Sequence, residues 1–290
     1  MSWRTVVISQ RCKLDYKMGY MVIRGEETKR IYLDEIAIVI IENPAVSLTG
    51  VLLQTLSEKK IKVIFCTNKR SPYGELMPYY GSHDCSRKLK QQIAWAVDVK
   101  QVVWQAITRE KILNQSRHLS DKGRQKEAML LESYISQVEP GDKTNREGHA
   151  AKVYFNALFG LDFKRDDSSD PINSALDYGY AILLSAFNRA VCANGYSTEL
   201  GIHHDNVFNF YNLSSDLMEP FRPLVDRAVS ENEIAELTKD VKYKLVDVLN
   251  ANVVIQGTNQ TVLNAIDIYC RGVFNSLNEG DPGRLVFYNL

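Results

Sequence analysis

The hydrophobic pattern of this chain changes period near residue 80, and that change limits the folds it can adopt. Before it, short runs rich in β-branched and aromatic residues (5–9, 14–17, 20–24 and 30–33) alternate with polar turns such as Gly25-Glu26-Glu27. Residues 36–41 read I-A-I-V-I-I, a continuous apolar run expected of a strand covered on both faces, and 62–66 (K-V-I-F-C) reads as another. Between them, Val51, Leu52, Leu53 and Leu56 carry helical spacing over 49–59. Residues 71–82, S-P-Y-G-E-L-M-P-Y-Y-G-S, hold two prolines, two glycines and three tyrosines and read as a connector. Strand signals largely stop after it. The expected fold is α+β: a small β-rich N-terminal domain over residues 1–75, a linker over 76–84, and a larger all-helical C-terminal domain over 85–290.

In the second part, Ile93, Val97, Val103, Trp104, Ile107, Ile112 and Leu113 recur close to a 3.6 period and predict an apolar stripe. The chain as a whole is neutral, with 35 Lys plus Arg and 35 Asp plus Glu, so any anionic partner must be met locally. Between Cys85 and Lys126 stand ten Lys or Arg against Asp98, Glu110 and Asp121. A positive helical face of that kind suits phosphate binding by counterion release, and a merely solvated helix face is the plain alternative. Further helices are expected over 145–159, 173–194, 241–251 and 261–276. A polar loop is expected over 160–173, and the tail 284–290 receives no assignment. The five cysteines are scattered and suit a reduced compartment. The opening M-S-W-R-T-V-V-I-S has no signal-peptide pattern and no run approaches a membrane span, so a cytoplasmic protein with no membrane partner is expected.

The chemistry concentrates in residues 213–226, L-S-S-D-L-M-E-P-F-R-P-L-V-D. Asp216 and Glu219 are three apart and would share a helix face. Ser214 or Ser215 is expected to cap that helix, and Pro220 and Pro223 imply a special local geometry. His204 lies ten residues before Ser214, and Glu147 sits near the start of the helix over 145–159. One imidazole and two carboxylates make a workable Mg²⁺ or Mn²⁺ site. The bland alternative is that Asp216, Glu219 and Glu147 simply occupy favourable first turns. Neither a phosphate-binding Gly-rich loop nor a dinucleotide fingerprint nor a nucleophilic serine motif occurs.

Glu147-Gly148, G-I-H-H ending in His204, and D-L-M-E-P-F-R-P with Glu219, in this order and spacing, resemble the Cas1 family of CRISPR-associated adaptation endonucleases over the whole chain. Pro220 after the glutamate and the opening W-R-T-V-V look most like the type II systems. The resemblance implies that Glu147, His204 and Glu219 are the catalytic metal ligands, with Mg²⁺ or Mn²⁺ as cofactor. Asp216 and His203 would stand behind them as supporting residues. It also implies a homodimer, formed through the β-rich domain. Two such dimers would flank a Cas2 dimer in a four-plus-two complex, alongside type II effector and accessory proteins. The substrates would be double-stranded DNA: a foreign fragment with 3′ overhangs, and a CRISPR repeat into which each 3′-hydroxyl is joined by transesterification as a new spacer. The basic stretch would then grip duplex phosphates, with Arg87, Lys88, Lys90 and Arg117 as candidate contacts. Tyr20, Tyr73, Tyr79 and Tyr80 could stack on terminal bases, with connector or core packing the favoured reading for each.

Two other readings use the same residues. One is a metal-dependent nuclease acting on branched DNA in repair, which would not need the Cas2 subunit. The other is a non-catalytic DNA-binding scaffold, in which Glu219 would be dispensable for every activity.

Overall fold

The computed structural model describes residues 4–79 and 82–289. The chain forms two compact units, Met1–Cys85 with Cys192–Gly195, and Ser86–Val191 with Tyr196–Leu290. Residues 76–84 fall within the first.

The first unit contains two sheets and a helix. Strands β1 (Arg4–Ile8), β5 (Ile36–Ile41) and β7 (Lys62–Cys66) run parallel, and β8 (Pro72–Glu75) closes the sheet antiparallel, in the order β1-β5-β7-β8. The second sheet is a meander of β2 (Lys13–Lys17), β3 (Tyr20–Arg24) and β4 (Thr28–Tyr32), with β6 (Ser47–Leu48) parallel to β2. A two-residue turn at Met18 and Gly19, both at positive φ, joins β2 to β3, matching the twist a tight hairpin requires. Helix α1 (Gly50–Glu58) is capped by the Thr49 hydroxyl, which accepts from the Leu52 N–H. All six residues of β5 are buried, as its unbroken apolar run requires. One core joins both sheets and α1 through Val6, Leu14, Met21, Val39, Leu52 and Val63. Strand β8 lies inside the expected connector. A buried ion pair of Lys62 with Glu75, 2.8 Å apart, ties it to β7.

The second unit is built around α3 (Val97–Asp121). It packs against α4 (Gln125–Ile135), α5 (Arg146–Phe159), α8 (Arg222–Ser230) and α10 (Val262–Glu279). Helices α2 (Cys85–Ile93), α6 (Pro171–Ala193), α7 (Asn212–Met218) and α9 (Lys239–Asp247) complete the set. The expected apolar stripe holds only from Val103 to Ile112. The helix breaks between Ile93 and Val97, the phase is lost there, and both of those residues are 69% exposed.

This unit is not all-helical. Strands β9 (Asn252–Ile255), β10 (Thr258–Thr261) and β11 (Tyr288–Asn289) form a sheet in the order β10-β9-β11. Its strands are short, and β10 is entirely polar, which hides it from a hydrophobic-pattern reading. The unassigned tail supplies β11. There the buried Tyr288 donates its hydroxyl to the Pro220 carbonyl at 3.0 Å. Among the described residues no helix is long and apolar enough to cross a membrane.

Candidate active site

The stretch 212–230 is three pieces rather than one helix. Helix α7 ends at Met218, a 3-10 turn spans Glu219–Phe221, and α8 begins at Arg222. Pro220 and Pro223 each take the second position of the piece they open, where a missing N–H costs no helical bond. The expected serine cap is absent. Helix α7 starts before Ser214, at Asn212, so the serines lie inside it and Ser214 is buried. The 3-10 turn is fixed by its Pro220 carbonyl, which accepts from both Asn114 and Tyr288.

Asp216 does not cap its own helix. Its carboxylate accepts from the backbone N–H groups of Ile202 (2.6 Å), His203 (2.9 Å) and His204 (3.0 Å), and from the His204 ring Nδ1 at 2.5 Å. A fully buried carboxylate thus shapes the whole histidine loop and commits one ring nitrogen, leaving Nε2 as the ring atom for a ligand. Gly201 is required for this approach. A Cβ there would stand 2.2 Å from the His204 carbonyl oxygen and 2.8 Å from Asp216 Oδ2. His203 points elsewhere: its ring stacks on buried Trp104, with centroids 4.3 Å apart and planes within 3°. His204 meets the same indole edge-on at 5.8 Å.

Glu147 lies in the first turn of α5, but it is not the cap. Asp142 accepts from the Arg146 and Glu147 N–H groups, and Asn145 accepts from Gly148. The Glu147 side chain instead reaches Lys111 on α3, whose Nζ is 2.5 Å from Glu147 Oε1 and 2.5 Å from Glu219 Oε2. Arg222 holds the other Glu219 oxygen at 2.9 Å and lies over the Tyr180 ring. Lys111 is part of a polar stripe with Asn114 and His118, all buried, on the face of α3 that also carries Trp104 and Ile107. The signal for it was in the sequence: residues 104, 107, 111, 114 and 118 keep core spacing while the last three are polar.

The electrostatics follow from this pairing. Burial alone would raise the Glu219 carboxyl, but Arg222 and Lys111 outweigh it and hold it down at about 2. Burial likewise opposes the Lys111 ammonium, and Glu219 and Glu147 still keep its pKa above the ordinary value. The hydrogen bond to Asp216 raises the His204 imidazole against burial, with the charges of Asp216, Glu219 and Glu147 acting in the same direction. The carboxylates of Glu219 and Glu147 thus lie within electrostatic range of the His204 ring. Among the described residues, no three His, Cys, Asp or Glu side chains are gathered as a ready metal cluster. The cation between the carboxylates is that of Lys111. The donor set nevertheless fits a hard divalent ion: two carboxylates already converge on one positive charge, and an imidazole is held by a carboxylate behind it. A cavity of about 360 Å³ opens beside the loop, lined by Gln92, Lys100, Gly201, His203, His204 and Asp205. A cavity of similar size in the first unit, about 370 Å³ and lined by Arg11, Glu26 and Lys29 among others, has no such donor set.

The basic stretch does not make one positive face. Arg87 and Lys90 are exposed on α2, and Lys88 lies over the Tyr196 ring at 5.2 Å. On α3, Arg109 donates to the Val138 carbonyl, Lys111 is buried in the site, and Arg117 is turned to Asn114 and Glu110. Ten basic residues in a line of sequence are divided by helix phase between solvent, carbonyls and carboxylates. Of the tyrosines, Tyr20 packs on Tyr32 with centroids 5.3 Å apart, Tyr73 and Tyr79 are exposed, and Tyr80 lies outside the described residues.

The family model described as CRISPR associated protein Cas1 matches residues 5–240. A CRISPR-associated endonuclease Cas1 of Neisseria meningitidis serogroup C (strain 8013) is 35% identical over 273 residues, covering 92% of this chain and 90% of that protein. Among solved structures, a casposase bound to integration product superposes with a TM-score of 0.79 at 18% identity, covering 97% of this chain and 92% of that one. A Cas6-RT-Cas1–Cas2 complex gives 0.75 at 18% identity, covering 97% of this chain and 36% of the other.

Proposed function

This chain belongs to the Cas1 family of CRISPR-associated proteins, and from that premise we propose that it is a metal-dependent DNA endonuclease and integrase of CRISPR adaptation. Its reaction is the joining of short foreign duplexes to a CRISPR repeat. The observation that carries this reading is the convergence of Glu147 and Glu219 on one cation, within electrostatic range of a His204 ring aimed by Asp216. The relative from Neisseria is an endonuclease by name, and a casposase of the same fold was solved bound to an integration product; both support this reading.

Glu147, Glu219 and His204 Nε2 are the groups that would hold Mg²⁺ or Mn²⁺. Bound there, the ion supplies Lewis acidity to a phosphodiester and offsets the charge that builds up on its oxygens. Asp216 fixes the His204 tautomer and the path of residues 202–204. Arg222 keeps Glu219 ionised and oriented. The 3′-hydroxyl of the incoming strand loses its proton as its oxygen bonds to phosphorus, the bond from phosphorus to the repeat strand's 3′ oxygen breaks, and that oxygen takes up a proton and leaves as a hydroxyl. With water as the nucleophile, the same exchange is hydrolysis. The partners proposed are a second copy of this chain, joined through the β-rich unit, and Cas2 in a four-plus-two complex. The solved complex that contains both proteins supports a Cas2 partner. Type II effector and accessory proteins would act with them, in the cytoplasm.

One observation favours the scaffold reading: Lys111 and Arg222 already balance the two carboxylates, as a purely structural ion-pair cluster would. The test is strand transfer of a 3′-overhang duplex into a supercoiled repeat plasmid, with and without Cas2, in Mg²⁺, Mn²⁺ or EDTA. Transfer is expected to need both metal and Cas2. DNA binding without transfer, given active Cas2, would favour the scaffold. Metal-dependent cleavage of branched DNA indifferent to Cas2 would favour the repair nuclease.

A further inference from the structure

Lys111 is a buried lysine in the middle of α3, and its ammonium stands 2.5 Å from a carboxylate oxygen of each proposed ligand residue. The two carboxylates come from distant elements, α5 and the 3-10 turn before α8, and they meet at this nitrogen. Without a cation between them, two anions brought this close in a poorly hydrated site would repel by several times thermal energy. Glu219 has a second neutralising partner in Arg222 Nε at 2.9 Å, so it keeps a counter-charge when Lys111 moves. Lys111 ends a flexible four-carbon stem, which suits a cation that holds a place and then gives it up. Arg222 is instead pinned between Glu219 and the Tyr180 ring.

We propose that Lys111 is an internal counter-cation that holds Glu147 and Glu219 together in the metal-free protein and that a divalent ion displaces on entering. The inference rests on the metal-dependent reading above and adds to it. It makes Lys111 a positioning residue, and it sets metal affinity against the hold of this ammonium. If Lys111 were only a structural strut, removing it would scatter the ligands and weaken metal binding. As a placeholder, its removal leaves two carboxylates without their shared charge and strengthens binding.

The test compares Mn²⁺ binding to the full chain without DNA, by electron paramagnetic resonance of free Mn²⁺, in the wild type, K111M and K111R. K111M keeps the stem's bulk without its charge and should bind Mn²⁺ at least about tenfold more tightly than the wild type. K111R keeps a cation and should show no tightening. The melting temperature of metal-free K111M should fall, and Mn²⁺ should raise it by more than it raises the wild type's. Unchanged or weaker Mn²⁺ binding by K111M, or equal tightening in K111R, would overturn the placeholder. Should K111M fold poorly without metal, recovery with Mn²⁺ but not with NaCl of matched ionic strength supports the proposal. Loss of the fold in both K111M and K111Q whatever the Mn²⁺ concentration overturns it. A wild type that binds no Mn²⁺ would defeat the metal-dependent reading itself, a result distinct from all of these.

Discussion

His204 and Glu219 are held at the proposed metal site by opposite means. The His204 side chain is 41% exposed, and its loop is fixed by neutral backbone N–H groups that all donate to a single buried carboxylate. Glu219 is 3% exposed and is fixed by formal charges, Lys111 on one oxygen and Arg222 on the other. The histidine arm is thus set by geometry and stands ready with one ring nitrogen committed. The carboxylate arm is set by charge and requires a cation at all times, since an unpaired buried ion is costly. In the proposed account, the hydrogen-bonded arm tolerates an empty site, whereas the charge-held arm fills it from within.

The largest effect should come from breaking the charge-held arm. Glu219→Ala leaves the buried Lys111 and the half-buried Arg222 without their shared anion, and it should cost about 3–5 kcal/mol in urea unfolding as well as abolishing strand transfer. Breaking the geometric arm should be milder in stability and selective in function. Asp216→Asn keeps the shape but weakens the hold on His204, and should lower metal affinity or strand transfer by about 10- to 100-fold. Gly201→Ala should mimic that loss, because its new Cβ collides with the backbone of the same loop. The two adjacent histidines sharpen the comparison further. His204→Ala should abolish transfer with the fold intact, while His203→Ala should cost about 0.5–1.5 kcal/mol of stacking on Trp104 and leave most transfer. An inactive His203→Ala beside an active His204→Ala would reverse the assignment.

Glu110 shows what burial does when the partner is poorly placed. Arg117 stands 3.7 Å away and only partly opposes desolvation, so the Glu110 carboxyl is pushed up to about 7. Because its folded pKa is raised, Glu110 costs nothing below the unfolded carboxyl range, and its penalty grows as pH rises through about 7. Glu219 has the opposite sign: its contribution is present above the ordinary carboxyl range and is lost as pH falls towards about 2. Glu110→Gln should therefore stabilise the protein by on the order of 1 kcal/mol at pH 8 and by nothing near pH 4, measured by thermal melts across pH. The smallest effect is expected at the surface. Reversing charge at Arg87, Lys88 and Lys90 together should weaken duplex binding and flatten its salt slope, and an unchanged slope would make α2 a solvated face only.

Much of this was legible in the sequence, for reasons that differ by residue. Strand β5 was visible because a strand buried on both faces needs an unbroken apolar run. Glu219 and Asp216 stood out as adjoining carboxylates in an apolar stretch, and His204 by its place in G-I-H-H. The break in phase at Ile93 and Val97 was hidden, because helical spacing on either side of a short interruption reads as one stripe. The role of β11 was hidden because two residues of strand carry no period. Lys111 reads as one charge among ten, since composition does not distinguish a basic residue at a core position from one in water. Its spacing with Trp104, Ile107, Asn114 and His118 did carry that information. The serine cap failed because Ser214 and Ser215 lie within α7, where the starting turn had already passed.

The most direct measurement is anomalous diffraction from crystals of the wild type soaked in Mn²⁺. The account predicts one peak at ordinary Mn²⁺–ligand distances of about 2.0–2.3 Å from Glu147, Glu219 and His204 Nε2, with the Lys111 ammonium moved out from between the carboxylates. A map with no peak at that position, and Lys111 still bridging Glu147 and Glu219 at saturating Mn²⁺, would contradict it.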